Sequence, residues 1–191
     1  MTVYVGVDPG KSGFISLISK ELGEDFYPMP TEKVATGEKL KSGKDKMKTV
    51  FSEKGLLFLA YSISEKYGKN VKFIACIEEV IGRNGWSAQN NFNFGYTAGL
   101  QKAFLHLLGA EVHMVRPQKW QSVMYEWYDK VMIPSSTGKT MIHDTKATSA
   151  IVAKSLAPNV NFAKSARSSK IDDNKTDAFL ISKYCEKTFK I

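Results

Sequence analysis

The chain has 191 residues, of which 43% are hydrophobic and 24% charged, and a formal net charge of +8. This is enough apolar material for one core of ordinary size and not for two, so a single domain spanning residues 1–191 is expected. The positive excess points to a polyanionic partner, and since no apolar run approaches the ~18–20 residues of a membrane span, a membrane-spanning role is excluded.

The first residues go straight into a strand instead of a basic stretch and an apolar signal segment, so a cytoplasmic protein is expected, in the host cytoplasm if virus-encoded. In VGVDPGKSG, Val3, Val5 and Val7 alternate with Tyr4 and Gly6, which reads as a short buried strand ending on Asp8. Asp-Pro-Gly makes a good turn, and Phe14, Ile15, Leu17 and Ile18 form a second strand. GEDFYPM supplies a third, giving an antiparallel meander. TEKVATGEKLKSGKDKMK, with Lys33, Lys39, Lys41, Lys44, Lys46 and Lys48, reads as a solvated loop, either a linker or a phosphate-contacting segment. Lys46 to Tyr67 suits a helix, although Gly55 weakens it. VKFIACIEEVI is a nearly continuous apolar run with β-branched residues, the pattern of a central strand buried on both faces. Ser87 to Leu108 reads as mostly helical, and EVHMV as a strand. PQKWQSVMYEWY opens with proline, which suits a helix N-terminus. Residues 129–145 read as a loop, KATSAIVAKSLA as a helix, NVNFAKSARSSK as a polar connection and DDNKTDAFLISKYCEK as a final amphipathic helix. Strands followed by alternating units imply an α/β domain with a mixed sheet flanked by helices.

Cys76 and Cys185 read as reduced thiols, and His106, His113 and His143 share no metal-ligand spacing. Chemistry therefore falls to the carboxylates. Glu78 and Glu79 sit in the central strand and point to opposite faces, one following Cys76 and the other Ile77. Asp172 and Asp173 suit a helix N-terminus as caps, whereas Asp177 lies in the second turn beside Ala178, Phe179 and Leu180, where no cap is needed. Asp173 and Asn174 share its face at i−4 and i−3. If the first and central strands are neighbours, Asp8 and Glu78 come close and the helix delivers the rest. Such oxygen ligands favour Mg²⁺ or Mn²⁺, and two such ions support in-line phosphodiester displacement.

Together and in this order, VGVDPGKSG, CIEEVIGRNGWSAQNNFNFGYTAGL, VRPQKWQ and DDNKTDAFLIS resemble the RuvC-type Holliday-junction resolvases, especially stand-alone phage and poxvirus-like members. The resemblance covers nearly the whole chain. It implies a ribonuclease-H-like fold, a homodimer and metal-dependent paired nicking of four-way DNA junctions, leaving 5′-phosphate and 3′-hydroxyl ends. By position, Asp8, Glu78 and Asp177 match the family's metal ligands. The fourth ligand commonly lies three residues before Asp177, where this chain has Asn174, and the expectation moves to Asp173. Lys119 matches a lysine near the scissile phosphate and is the one expected to stabilise the charge developing there, and Lys146 matches a second lysine at the start of a later helix. Arg83 and Trp86 fall in the loop that reaches the junction, and Gly95, Tyr96 and Gly99 in the helix that packs against its partner copy. The implied cofactor is Mg²⁺, with Mn²⁺ able to substitute and two ions per active site.

STGKT at 136–140 is not a nucleotide-binding loop, because the first glycine of that motif would fall at Ile133. An actin-like ATPase needs a second lobe for which the chain leaves little room. A broader flap or fork endonuclease and a non-catalytic junction-binding protein on the same fold are the alternatives.

Overall fold

The computed structural model describes residues 1–82, 84–165 and 167–190. The meander forms as its alternation requires: β1 (Thr2–Asp8) pairs antiparallel with β2 (Phe14–Ser19), and β2 with β3 (Gly23–Pro28). The lysine-rich stretch departs from the expected loop. It builds β4 (Thr31–Lys39) and β5 (Asp45–Phe51), an antiparallel hairpin outside the main sheet, with Val34 opposite Lys48 and Ala35 opposite Met47. A two-stranded hairpin with both faces largely in solvent needs few apolar residues, so its lysines hid the strand pattern. Gly43, at φ +79°, closes the turn by donating its amide to the Leu40 carbonyl.

The next helix is shorter than the expected span from Lys46. α1 (Glu53–Tyr67) starts where the Ser52 hydroxyl caps it by accepting from the Gly55 amide at 3.2 Å. Gly55 lies against Pro30, leaving no room for a side chain. β6 (Lys72–Glu78) lies parallel to β1; after α2 (Ala88–Leu107), β7 (Glu111–Val115) lies parallel to β6. α3 (Pro117–Met124) carries proline in its first turn, as expected. The expected loop at 129–145 contains a second small hairpin, β8 (Met132–Pro134) and β9 (Met141–His143). α4 (Thr145–Leu156) is capped by Asp144, and α5 (Asp173–Phe189) by Asp172.

The main sheet has the order β3-β2-β1-β6-β7, and helices cover both faces, the mixed α/β class expected. On one face Val3, Val5, Val7, Ala75 and Ile77 pack against α1 and α2. On the other, Tyr4, Ile74 and Cys76 meet Phe179, Leu180 and Ile181 of α5, with Trp120 of α3 and Val152 of α4 alongside. α5 lies so close to β1 that a Cβ at Gly6 would overlap the Ala178 carbonyl and the Ser182 amide. Glycine in the middle of a strand normally weakens it. Here it lets the last helix rest on the backbone of the first strand, and that contact sets the depth of everything α5 carries.

Candidate active site

β1 and β6 run parallel, and Val7–Ile77 is the last pair in register, so Asp8 and Glu78 close the carboxyl ends of adjacent strands. Alternation fixes where they point. Tyr4 and Gly6 face α5, and Asp8 follows them; Ile74 and Cys76 face α5, and Glu78 follows them. The pair of glutamates thereby divides. Glu79 turns away and accepts from Arg116 Nε at 3.0 Å, leaving Glu78 to the site.

Two helices complete the cluster through matched spacings. On α4, Lys146 and Ser149 stand three apart; on α5, Asp173 and Asp177 stand four apart, so each pair shares one face. The faces meet rung by rung: Lys146 Nζ donates to Asp173 Oδ2 at 3.1 Å, and Ser149 Oγ donates to Asp177 Oδ1 at 2.6 Å. Behind Ser149, its oxygen lies 2.7 Å from the Tyr125 hydroxyl, forming a buried relay toward Asp177. From α3, the Trp120 indole Nε1 donates to Glu78 Oε2 at 2.9 Å. Trp120 is fully buried, so its ring is fixed and the carboxylate it holds is fixed with it.

Asp8 keeps some surface but is enclosed by protein on most sides. That enclosure, followed by the negative charges of Asp177, Glu78 and Asp172, holds its carboxyl well above the usual carboxylate range, with Lys146 opposing. Asp177 is pushed up to about 7, chiefly by burial; the Ser149 hydrogen bond and Lys146 pull it down, while Glu78 and Asp173 push it up. Burial likewise raises the Tyr125 phenol, which stays a proton donor in its relay at any ordinary pH. Asp173 keeps Lys146 protonated through their hydrogen bond.

Asp8, Glu78 and Asp177 therefore share one electrostatic neighbourhood, with Lys146 as the cation at its edge. Asp173 stands beside them but is engaged by Lys146. Asp172 is nearer in effect to Asp8, and its carboxylate caps α5 by accepting from the Asn174 and Lys175 amides. Asn174, in place of the expected acid, donates Nδ2 to the Ser12 carbonyl at 2.9 Å and ties α5 to the β1–β2 turn. Lys119 is exposed on α3 and has no ion pair among the described residues. Arg83 lies outside the described residues. Trp86 packs edge-on against Phe94, with ring centroids 5.7 Å apart, and remains 41% exposed. Gly95 and Gly99 have open space above them on α2, and Tyr96 beside them donates its hydroxyl to Glu53. Trp120, Ser149 and Tyr125 were not expected from sequence. Trp120 follows Lys119 directly, but an apolar residue on a helix reads as core, which it also is.

The donor chemistry suits a hard divalent cation. Carboxylates that raise one another's protonation lose that repulsion when a dication sits among them, and Trp120 and Ser149 hold them in the way outer partners orient metal ligands. Among the described residues, no three His, Cys, Asp or Glu side chains are drawn tightly enough to enclose an ion, so binding would require the carboxylates to close in.

No protein-family model and no curated protein matches the chain. Solved structures do. RuvC of T. thermophilus in complex with Holliday junction substrate superposes with a TM-score of 0.54 at 10% identity, over 95% of this chain and 91% of that one. A second Thermus thermophilus RuvC structure gives a TM-score of 0.48 at 13% identity, over 95% and 92%. The first shows that the fold is RuvC-like. No described helix is long and apolar enough to cross a membrane.

Proposed function

We propose that the protein is a divalent-metal-dependent endodeoxyribonuclease in a single domain, which resolves four-way DNA junctions as a homodimer by paired symmetric nicks. The observation that carries this reading is the convergence of Asp8, Glu78 and Asp177 at the carboxyl ends of β1 and β6 under α5. It sits in a chain of net charge +8, where an acidic centre in a basic surface suits a phosphodiester substrate. Support for the junction comes from the neighbour solved with Holliday junction substrate and from the four motifs in order, which also favour the phage and poxvirus-like branch.

Asp8, Glu78 and Asp177 would hold Mg²⁺, or Mn²⁺ in its place, with Asp173 joining as a fourth ligand if it leaves Lys146. Two such ions, if bound there, would supply activation of a water and charge stabilisation at the leaving oxygen for an in-line displacement. The chain's own part is positioning. Trp120 fixes the Glu78 carboxylate, Ser149 and Tyr125 fix Asp177, and Gly6 sets the height of α5 above β1. Lys146, held protonated by Asp173, would meet the scissile phosphate and offset charge developing on it. Lys119 would act on the substrate from the exposed side of α3, and Arg83 and Trp86 from the loop after β6, Trp86 by stacking on an unpaired base. The products would carry 5′-phosphate and 3′-hydroxyl ends. The working compartment is the cytoplasm.

The test is cleavage of a labelled four-way junction beside flap and linear duplex controls, in Mg²⁺ or EDTA. Symmetric nicks on the junction alone, by wild type with Mg²⁺ and not by Asp8→Asn, are expected. Equal cutting of flaps or duplex would replace the resolvase with a general structure nuclease, and binding without cutting in either metal would remove the enzyme.

A further inference from the structure

The β4–β5 hairpin has no part in the site described above, yet its root lies beside it. The Met29 amide, just ahead of β4, donates to the Gly13 carbonyl, and Lys11 Nζ donates to the Thr49 carbonyl of β5 at 3.0 Å. Both anchors belong to the turn that follows Asp8. Between the hairpin, this turn and the N-terminal half of α2 runs an open groove of about 990 Å³. It is lined by Gly10 and Lys11, two and three residues after Asp8, by Lys48 and Val50 of the hairpin, and by Asn90 and Phe94 of α2.

The hairpin's charge is lopsided. From Thr31 to Phe51 it holds the six lysines named above against Glu32, Glu38 and Asp45. Two ion pairs, Lys39–Asp45 and Lys46–Glu38, neutralise only part of it. Lys41 and Lys44 at the tip and Lys48 on the groove side are exposed, with no ion pair among the described residues. The groove itself is of mixed charge, because Glu32 and Glu53 also line it, so the positive potential belongs to the arm and not to the groove floor. Nearly every residue of the arm is exposed, and a protein keeps such a segment extended from its surface at a cost in order that burial does not offset.

We infer that the β4–β5 hairpin is a phosphate-gripping arm that holds a DNA backbone along the groove leading to Asp8, without reading its sequence. The inference rests on the nuclease reading for its ligand. Lysines on a flexible stem act as point charges on phosphates, and each phosphate contact contributes roughly 0.9 to the slope of log K against log salt. The arm would therefore act on affinity and its salt dependence, and leave the chemical step to the packed site.

The test is fluorescence anisotropy of labelled duplex and of four-way junction DNA with the full chain in EDTA, across a salt series. Three proteins are compared: wild type, K41Q/K44Q/K48Q, and K20Q/K69Q, which removes lysines from the opposite end of the sheet. Analytical ultracentrifugation and thermal melting are run on the same samples. Expected are a salt slope lower by about 2–3 and binding weaker by roughly tenfold or more for the arm variant, with nearly wild-type values for the control. Wild-type binding that the arm variant reproduces would overturn the arm while leaving the nuclease reading intact. An arm variant that binds normally but changes its state of association would make the arm a contact between copies, and also overturn it. Failure of wild type to bind either DNA, both in EDTA and with Ca²⁺ in its place, would overturn both readings.

Discussion

Around Asp8, Glu78, Asp173 and Asp177 are each held by a second group and the helix above rests on bare backbone at Gly6, whereas on the β4–β5 hairpin most side chains end in water and, among the described residues, two ion pairs bridge the strands. One region holds its side chains through mutual hydrogen bonds; the other spreads charge over an exposed surface. On the nuclease reading, the contrast follows from what each would do. Stabilising charge as a bond breaks needs pre-set geometry in a water-poor place. Gripping a polyanion at any sequence needs only cations within reach, and exposed cations lose little by staying hydrated.

That contrast can be broken first on stability. Gly6→Ala should cost about 3–5 kcal/mol, since its methyl would overlap the backbone of α5. Gly43→Ala, with no atom within 4 Å of its added carbon but a φ of +79°, should cost about 1 kcal/mol. Chemical denaturation of both variants measures the difference, and equal losses would contradict the tight contact.

The next effect is in pH. Asp177, pushed up to about 7 by burial, has a folded pKa above its unfolded one, so its contribution to stability is complete below about pH 4 and is lost as pH rises through about 7. In EDTA, wild type should therefore lose on the order of a few kcal/mol between pH 5 and pH 8 that Asp177→Asn does not lose. Melting curves of the two proteins, subtracted at each pH, read the titration of Asp177 together with its coupling to Asp8. A difference that stays flat would mean that Asp177 is already ionised throughout.

Smaller effects concern the supports of the site. Trp120→Phe keeps the ring in the core but removes the donor to Glu78, and should lower metal affinity or turnover by roughly 10–100-fold with little change in melting temperature. Lys146→Gln should slow cleavage several-fold, more than Lys119→Gln, because Lys146 is the cation that both Asp8 and Asp177 feel. Steady-state kinetics on the junction ranks the three variants, and a larger loss at Lys119 would shift the working lysine to α3.

The meander, the central strand and the last helix were legible because alternation and periodicity report directly on burial. Asp8, Glu78 and Asp177 stood out for the converse reason, as carboxylates on faces that should be apolar. The supports were not legible. Trp120 serves the core and the site at once, and Ser149 and Tyr125 acquire a role only when α4 lies beside α5, which no local pattern encodes. The β4–β5 hairpin reads as a loop in the sequence because lysines at strand positions remove the apolar alternation that marks a half-buried strand. Which of Asp172, Asp173 and Asn174 completes the carboxylate set depends on side-chain partners rather than on spacing: one caps, one pairs with Lys146 and one binds the β1–β2 turn.

The central claim is that Asp8, Glu78 and Asp177 together hold a divalent cation. Titration of Mn²⁺ into the full chain, followed by electron paramagnetic resonance at pH 8, reads this without DNA or turnover. Wild type should bind Mn²⁺ in competition with Mg²⁺, and Asp8→Asn, checked by its melting curve to be folded, should lose at least tenfold in affinity. Unchanged Mn²⁺ binding by Asp8→Asn, or none by wild type, would contradict the account.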